Sequence, residues 1–379
     1  MEKPSYLPDG LTHPQLLFNQ TAAVRNITRM AEKAAQSGVT LRPHFKTHQS
    51  AKIAELFREA GVEMGAVSSI SMLEYFLDAG WGDLLLAIPA IPAWADALTQ
   101  LSDKADRLGI FVNNPETARA LDDQVHTSLD AYIEIDTGQH RSGLNPDDTA
   151  KINSLVGTIR DSHFLNFRGF YSHPGQTYQA GSRKDIEAIH DHAVRQLTGL
   201  RDHLEGIPNR NALDLVIGDT PSCSAKRKFS GISTVSPGNF VFFDLQQYAL
   251  GACELSDIAV AVAVPVIDLD NQNKRLIAHG GAVHLSKDTA TLPNIKQPIY
   301  GLPVLLEEYG WSHPIPGATV HSLSQEHAVI HYPFSSPETP DLKPGDWIGI
   351  LPAHSCLAVH QFSQYRNLQG EKISKMAPG

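Results

Sequence analysis

The sequence is short of cysteine, of long apolar runs and of basic charge, and each shortage excludes a class of function. Three cysteines, Cys223, Cys253 and Cys356, are too few, and odd in number, for a disulfide framework. The first ten residues hold no apolar segment that could act as a secretory signal, so the thiols point to a reducing, cytoplasmic setting. The longest apolar run, Ile258 to Ile267, is too short to span a bilayer and contains Pro265. With 31 Lys and Arg against 41 Asp and Glu, the formal charge is −10. Such a balance supplies no basic face for nucleic acid or an anionic membrane, and neither is expected as a partner. A small charged substrate remains compatible, because one site can be locally positive on an acidic protein.

At 379 residues the chain is expected to form two domains. Its first two-thirds alternates between helical and strand periodicity. Helices are expected at 21–37, 50–60, 70–79, 93–107, 115–124, 147–161 and 183–204. Strands are expected at 40–46, 63–68, 83–88, 109–113, 130–136, 167–172, 214–218 and 234–243. Eight strands in this span fit an α/β fold of the (β/α)8 barrel type better than a doubly wound open sheet. After about residue 255 the chain turns rich in Val and Ile, with strands expected at Ile258–Leu269, Arg275–Leu285, Val320–Tyr332, Asp346–Pro352 and Leu357–Gln364. The expected boundaries are a barrel at 15–250 and a mainly β C-terminal domain at 251–379, joined by residues 1–14.

In a barrel the site lies at the C-terminal ends of the strands, which selects four segments. The first strand ends in Pro43-His44-Phe45-Lys46-Thr47-His48, where Lys46 is either a solvated lysine or a desolvated amine able to form a Schiff base. The fifth ends in Asp136-Thr137-Gly138 and Arg141-Ser142-Gly143; the glycines let the chain aim Arg141 inward, or leave it exposed in a turn. The sixth ends in Tyr171-Ser172-His173, either two site side chains or a pair bonded to each other at the rim. The seventh runs into Gly218-Asp219-Thr220-Pro221-Ser222, which suits a phosphate cradle or an ordinary helix cap at Thr220. In the β domain, His354-Ser355-Cys356 would converge on one face of a strand as zinc-type ligands, unless it is a core cysteine beside an unrelated histidine.

Together these segments resemble the D-serine dehydratase and D-threonine aldolase family, fold-type III pyridoxal-phosphate enzymes with an alanine-racemase-like barrel before a β domain. The most specific piece is Pro43 to His48; Pro237-Gly238-Asn239-Phe240 with Asp244, and Ser324-Gln325-Glu326-His327, are also similar to family segments. The chain departs from the family at Gln49, where a basic residue is common, and at Ala328, where glycine is usual. The resemblance implies Lys46 as the cofactor lysine, with Arg141, Tyr171, His173, Gly218, Asp219, Thr220 and Ser222 around pyridoxal 5'-phosphate. It implies His354 and Cys356 as ligands of a divalent metal, zinc first, with manganese or magnesium as alternatives. The expected activity is a metal-assisted lyase on β-hydroxy D-amino acids, acting as a homodimer. D-Serine dehydratase chemistry is favoured over D-threonine aldolase chemistry because family aldolases tend to carry His-x-Asp. An amino-acid racemase, for which no second base is identified, and a non-catalytic cofactor carrier complete the alternatives.

Overall fold

The computed structural model describes residues 4–204, 207, 209–334 and 336–377. The chain divides into two compact units, Thr28–Gly238 and a second made of residues up to Ile27 with those from Asn239 onward. Strand β1 (Gln15–Phe18) belongs to the second unit.

The first unit carries β2 (Thr40–Leu41), β3 (Met64–Val67), β4 (Asp83–Pro89), β5 (Arg107–Phe111), β6 (Leu129–Glu134), β7 (Leu165–Ser172), β8 (Asp214–Ile217) and β9 (Thr234–Val235). These form one parallel sheet in the order β2-β9-β8-β7-β6-β5-β4-β3. A parallel bridge between His44 and Ala66 brings its two ends together, so the expected eight-stranded barrel is nearly closed. Its interior is filled, not hollow: Ala66, Leu85, Phe111, Tyr132, Tyr171 and Val216, one from each of β3 to β8, pack into a single cluster. The expected strands at 40–46 and 234–243 shrink to two residues each. Pro43 and Pro237 cannot donate to a ladder, and Asn239–Val241 turns into a 3-10 segment.

The second unit holds β1 with β10 (Val260–Asp270), β11 (Arg275–His279), β12 (Gly301–Glu307), β13 (Gly310–Pro314), β14 (Thr319–Leu323), β15 (His327–His331), β16 (Trp347–Pro352), β17 (Gln364–Asn367) and β18 (Lys372–Ser374). They make one ten-stranded, mostly antiparallel sheet in which β1 pairs β10 and β17. Three expectations are corrected here. Val320–Tyr332 is a hairpin broken at Ser324-Gln325-Glu326, and Arg275–Leu285 becomes a strand followed by the helical turn Ala282–Leu285. Leu357–Gln364 is mostly the helix Ser355–His360, with β17 beginning only at Gln364. Strand β12 was not among the expected strands; its Pro303 sits opposite Ile350 in the ladder. Among the described residues no helix is long and apolar enough to cross a membrane.

The close approach that fixes the barrel opening is between Phe45 and Gly65. A Cβ at Gly65 would lie 2.5 Å from the Phe45 ring, so only glycine leaves room for it. Gly65→Ala should therefore cost about 1–3 kcal/mol in urea unfolding, as overpacking does. Unchanged stability would mean that Phe45 moves aside freely and fixes nothing.

Candidate active site

Phe45 is fully buried among His48, Phe57, Phe76 and Trp81, with ring centroids 4.7 to 5.8 Å away. The next residue points the other way: in the buried run 41–48, Lys46 alone is exposed. The expected desolvation of this lysine is thus not seen; Pro43 and Phe45 are buried beside it, but its own side chain is open. Its backbone N–H donates to His44 Nδ1 at 3.4 Å, and Gln49, in a left-handed conformation with φ 52°, donates its amide to the Lys46 carbonyl at 3.1 Å. The departure at Gln49 therefore closes the lysine turn.

Arg141 stands in a loop organised by Asp136, whose carboxylate accepts from Gly138 N at 2.9 Å and His140 N at 3.0 Å. Partial burial works against its ionised form, but these bonds hold Asp136 below the usual carboxylate range. Gly143, at φ 101°, returns the loop onto its strand: Leu144 N donates to Glu134 O, and Asp136 N to Leu144 O, each at 2.9 Å. Arg141 faces buried Glu134 at 3.7 Å and is otherwise half exposed. Just past β7, His173 Nδ1 bonds the Gly218 carbonyl, an acceptor only, so this nitrogen carries the proton. Burial, then the positive charge of Lys46, pulls the His173 pKa down to about 3. His44 is lowered by burial and by Lys46, His173 and Arg141 together. Lys46, Arg141, His173 and His44 thus gather at one end of the barrel, two cations beside two neutral rings. Tyr171 is inside the barrel wall, where burial raises its hydroxyl pKa.

The turn after β8 differs from the expected cap at Thr220. Asp219 is the N-cap of the helix Thr220–Ala225, accepting from Ser222 N at 2.8 Å. Its other contacts, Ser222 Oγ at 2.6 Å and Thr177 Oγ1 at 2.9 Å, turn the carboxylate inward, and burial lifts its pKa to about 6. Ser222 Oγ also meets His190 Nδ1 at 2.9 Å. Thr220 Oγ1 is buried with no protein partner. A Cβ on Gly218 would run into the Tyr171 hydroxyl.

In the second unit, His354 and Cys356 do meet, although not across a strand. His354 is the extended N-cap of the helix Ser355–His360, and Cys356 lies in its first turn. Burial alone would lower the His354 pKa, but its hydrogen bond to Cys356, with Asp244 and Asp288 nearby, raises it to about 9. Among the described residues no group of three or more His, Cys, Asp or Glu is arranged to hold a metal, and His354 and Cys356 stand as a pair.

With this geometry in hand, the comparisons are specific. Residues 19–244 match the model of "Alanine racemase, N-terminal domain", and residues 259–367 that of "Putative serine dehydratase domain". The chain belongs to the alanine racemase N-terminal domain family, whose fold-type III members use pyridoxal phosphate. Among its relatives, a D-serine dehydratase from Dictyostelium discoideum is 28% identical, covering 96% of this chain and 95% of that one. The D-threo-3-hydroxyaspartate dehydratase of Delftia sp. (strain HT23) is also 28% identical over 95% of each chain. The solved structure of D-threo-3-hydroxyaspartate dehydratase from Delftia sp. HT23 superposes with a TM-score of 0.87 at 26% identity, covering 100% of both chains. A D-threonine aldolase from Arthrobacter sp is more distant, 24% identical over 90% of this chain and 85% of that one.

The barrel opening fits a phosphate-bearing aldehyde: an open lysine, a second cation, and an unpartnered buried hydroxyl at Thr220, in the turn after the seventh barrel strand. The His354–Cys356 pair fits a cation that borrows its remaining ligands from substrate or water. Sequence reasoning missed His44, Glu134, Thr177 and His190; the last two are polar residues whose only signal is burial against Asp219 and Ser222.

His190 is nearly inaccessible, and burial, followed by the charge of Lys226, lowers its pKa from 6.5 to about 4. A histidine depressed in the folded state contributes stability above the unfolded pKa and loses it as pH falls through the folded one. Wild type should therefore lose, relative to His190→Gln, on the order of 3 kcal/mol between pH 6.5 and 4 in urea unfolding. Parallel pH profiles for the two proteins would contradict a neutral, buried His190.

Proposed function

We propose that the protein is a pyridoxal-phosphate-dependent, metal-assisted dehydratase of small β-hydroxy D-amino acids, with D-serine or D-threo-3-hydroxyaspartate as substrate. The observation that carries the reading is Lys46, the one open side chain in a buried run, standing with Arg141 and two neutral histidines at the barrel end. The dehydratases named among the relatives support it.

When bound, pyridoxal phosphate spreads the negative charge left on the substrate α-carbon after its proton departs. The residues of this chain do the rest. Lys46 Nζ would hold the cofactor through its aldehyde, and as a free amine it would be the base placed to take the substrate α-proton. Arg141, half-neutralised by Glu134, offers a guanidinium to an anionic group without raising the histidines into charge. His173 keeps its Nδ1 proton on Gly218 and so presents a flat, neutral ring. Thr220 Oγ1 would take a phosphate oxygen, while Asp219 and Ser222, bonded to each other, hold the turn in shape. His354 and Cys356 would hold a divalent cation, zinc by its preference for nitrogen and sulfur, which would supply Lewis acidity towards a substrate hydroxyl. A homodimer is part of this reading, and light scattering of the purified protein tests it.

Purified protein should be yellow and convert D-serine to pyruvate and ammonia. Lys46→Ala should lose the visible absorbance and at least about 1,000-fold in turnover, as loss of a covalent anchor and base implies. A coloured, active variant would overturn the assignment, and glycine plus acetaldehyde from D-threonine as the dominant products would replace dehydration by aldol cleavage. Treatment with EDTA should remove turnover and spare the colour; full activity in chelator would remove the metal from the reading.

A further inference from the structure

The His354–Cys356 pair is held by side chains to which the reading above assigns no task. Gln246, in the helix Leu245–Ala249, places Oε1 2.8 Å from His354 Nδ1 and donates its Nε2 to the Thr289 carbonyl at 3.0 Å. A carbonyl only accepts, so the amide nitrogen is fixed towards Thr289 and the oxygen towards His354. That oxygen also only accepts, hence His354 Nδ1 carries a proton. Asp288 Oδ2, a second acceptor 3.9 Å from the same nitrogen, favours the same form. With Nδ1 holding its proton against Gln246, Nε2 is the nitrogen open to a cation, and it gives up its own proton as the cation binds.

The sulfur is oriented from the other side. Asn239 Nδ2 is 3.5 Å from Cys356 Sγ, 2.7 Å from Asp244 Oδ2 and 3.0 Å from Ser355 Oγ. Asp244 is fully buried, and it accepts from Gln247 N and from Ser355 N, each at 2.9 Å. One carboxylate therefore caps both the helix that carries Gln246 and the helix that carries Cys356.

We infer that Gln246 and Asn239, tied through Asp244, are positioning residues that preset His354 Nε2 and Cys356 Sγ for a divalent cation. The inference rests on the metal reading above and adds to it the residues that choose the histidine tautomer and aim the thiol. Removing such outer partners costs about 10–100-fold in metal affinity in sites of this type.

The test is calorimetric titration of zinc into metal-stripped holoenzyme, with thermal unfolding measured on the same samples. Wild type should bind zinc, and Cys356→Ser should bind it much more weakly. Gln246→Leu should weaken binding about 10–100-fold. Gln246→Glu keeps the acceptor and should stay within about threefold of wild type, although it loses the bond to Thr289. Asn239→Ala, which removes the donor to sulfur, serves as the second variant should Gln246→Leu fail to fold. Wild-type zinc affinity in both Gln246→Leu and Asn239→Ala overturns the inference and leaves the metal pair standing. Equal loss in Gln246→Glu and Gln246→Leu, with lowered unfolding temperatures, overturns it in favour of a merely structural role. A wild type that binds no zinc, or a Cys356→Ser variant that binds as tightly as wild type, removes the metal pair itself and the inference with it.

Discussion

The burial of one phenylalanine ring governs the barrel site. Phe45 fills the space that Gly65 leaves open and stacks among Phe76, Trp81 and His48. Because its side chain is committed to the interior, the turn that follows must present residue 46 on the opposite side. The same segment closes the sheet, since Phe45 N donates to Ala66 O at 2.8 Å and Ala66 N to Pro43 O at 2.9 Å. Barrel closure and the outward direction of Lys46 are thus one event. An amine on a four-carbon stem samples many rotamers, and only its backbone anchor can be fixed in advance.

Electrostatics complete what packing starts. The chain as a whole carries −10, yet Lys46 and Arg141 stand beside His44 and His173, and buried Glu134 lies 3.7 Å from Arg141. Burial keeps both histidines neutral, so the local charge comes from the two cations and is not diluted by titration near neutral pH. Asp219 could have spoiled this field from the 218–222 turn. It is instead bonded inward by Ser222 and Thr177, and its pKa is lifted by burial. A locally positive opening on an acidic protein is thereby built from commitments of individual hydrogen bonds.

Much of the barrel was legible because its signals are local. Helix and strand periodicities alternate, and Gly61 and Gly80 follow helices that end at Glu59 and Asp78. Lys46, Arg141, His173 and the 218–222 turn were singled out by a rule of position, that barrel chemistry follows the strands. What escaped was whatever depends on partners distant in sequence. Asp219 rather than Thr220 caps its helix because Thr177, 42 residues earlier, joins Ser222 in holding it. Gln246 lies 108 residues from the histidine it touches. In the β unit, strand β12 went unread, and its Pro303 occupies a ladder position opposite Ile350.

The His354-x-Cys356 spacing shows how a correct pairing can follow from a wrong local geometry. Alternation along a strand would place both side chains on one face, but the segment is a helix start. There, residues 354 and 356 meet because the first is still extended while the second has entered the helix, and the turn between them folds one towards the other. An extended N-cap ahead of a helical turn is a bent arrangement, and a bent arrangement can be held only by groups outside it. That is why Asp244 matters more than the spacing itself: its carboxylate accepts the Ser355 N–H, fixes where the helix begins, and so decides that imidazole and thiol face each other.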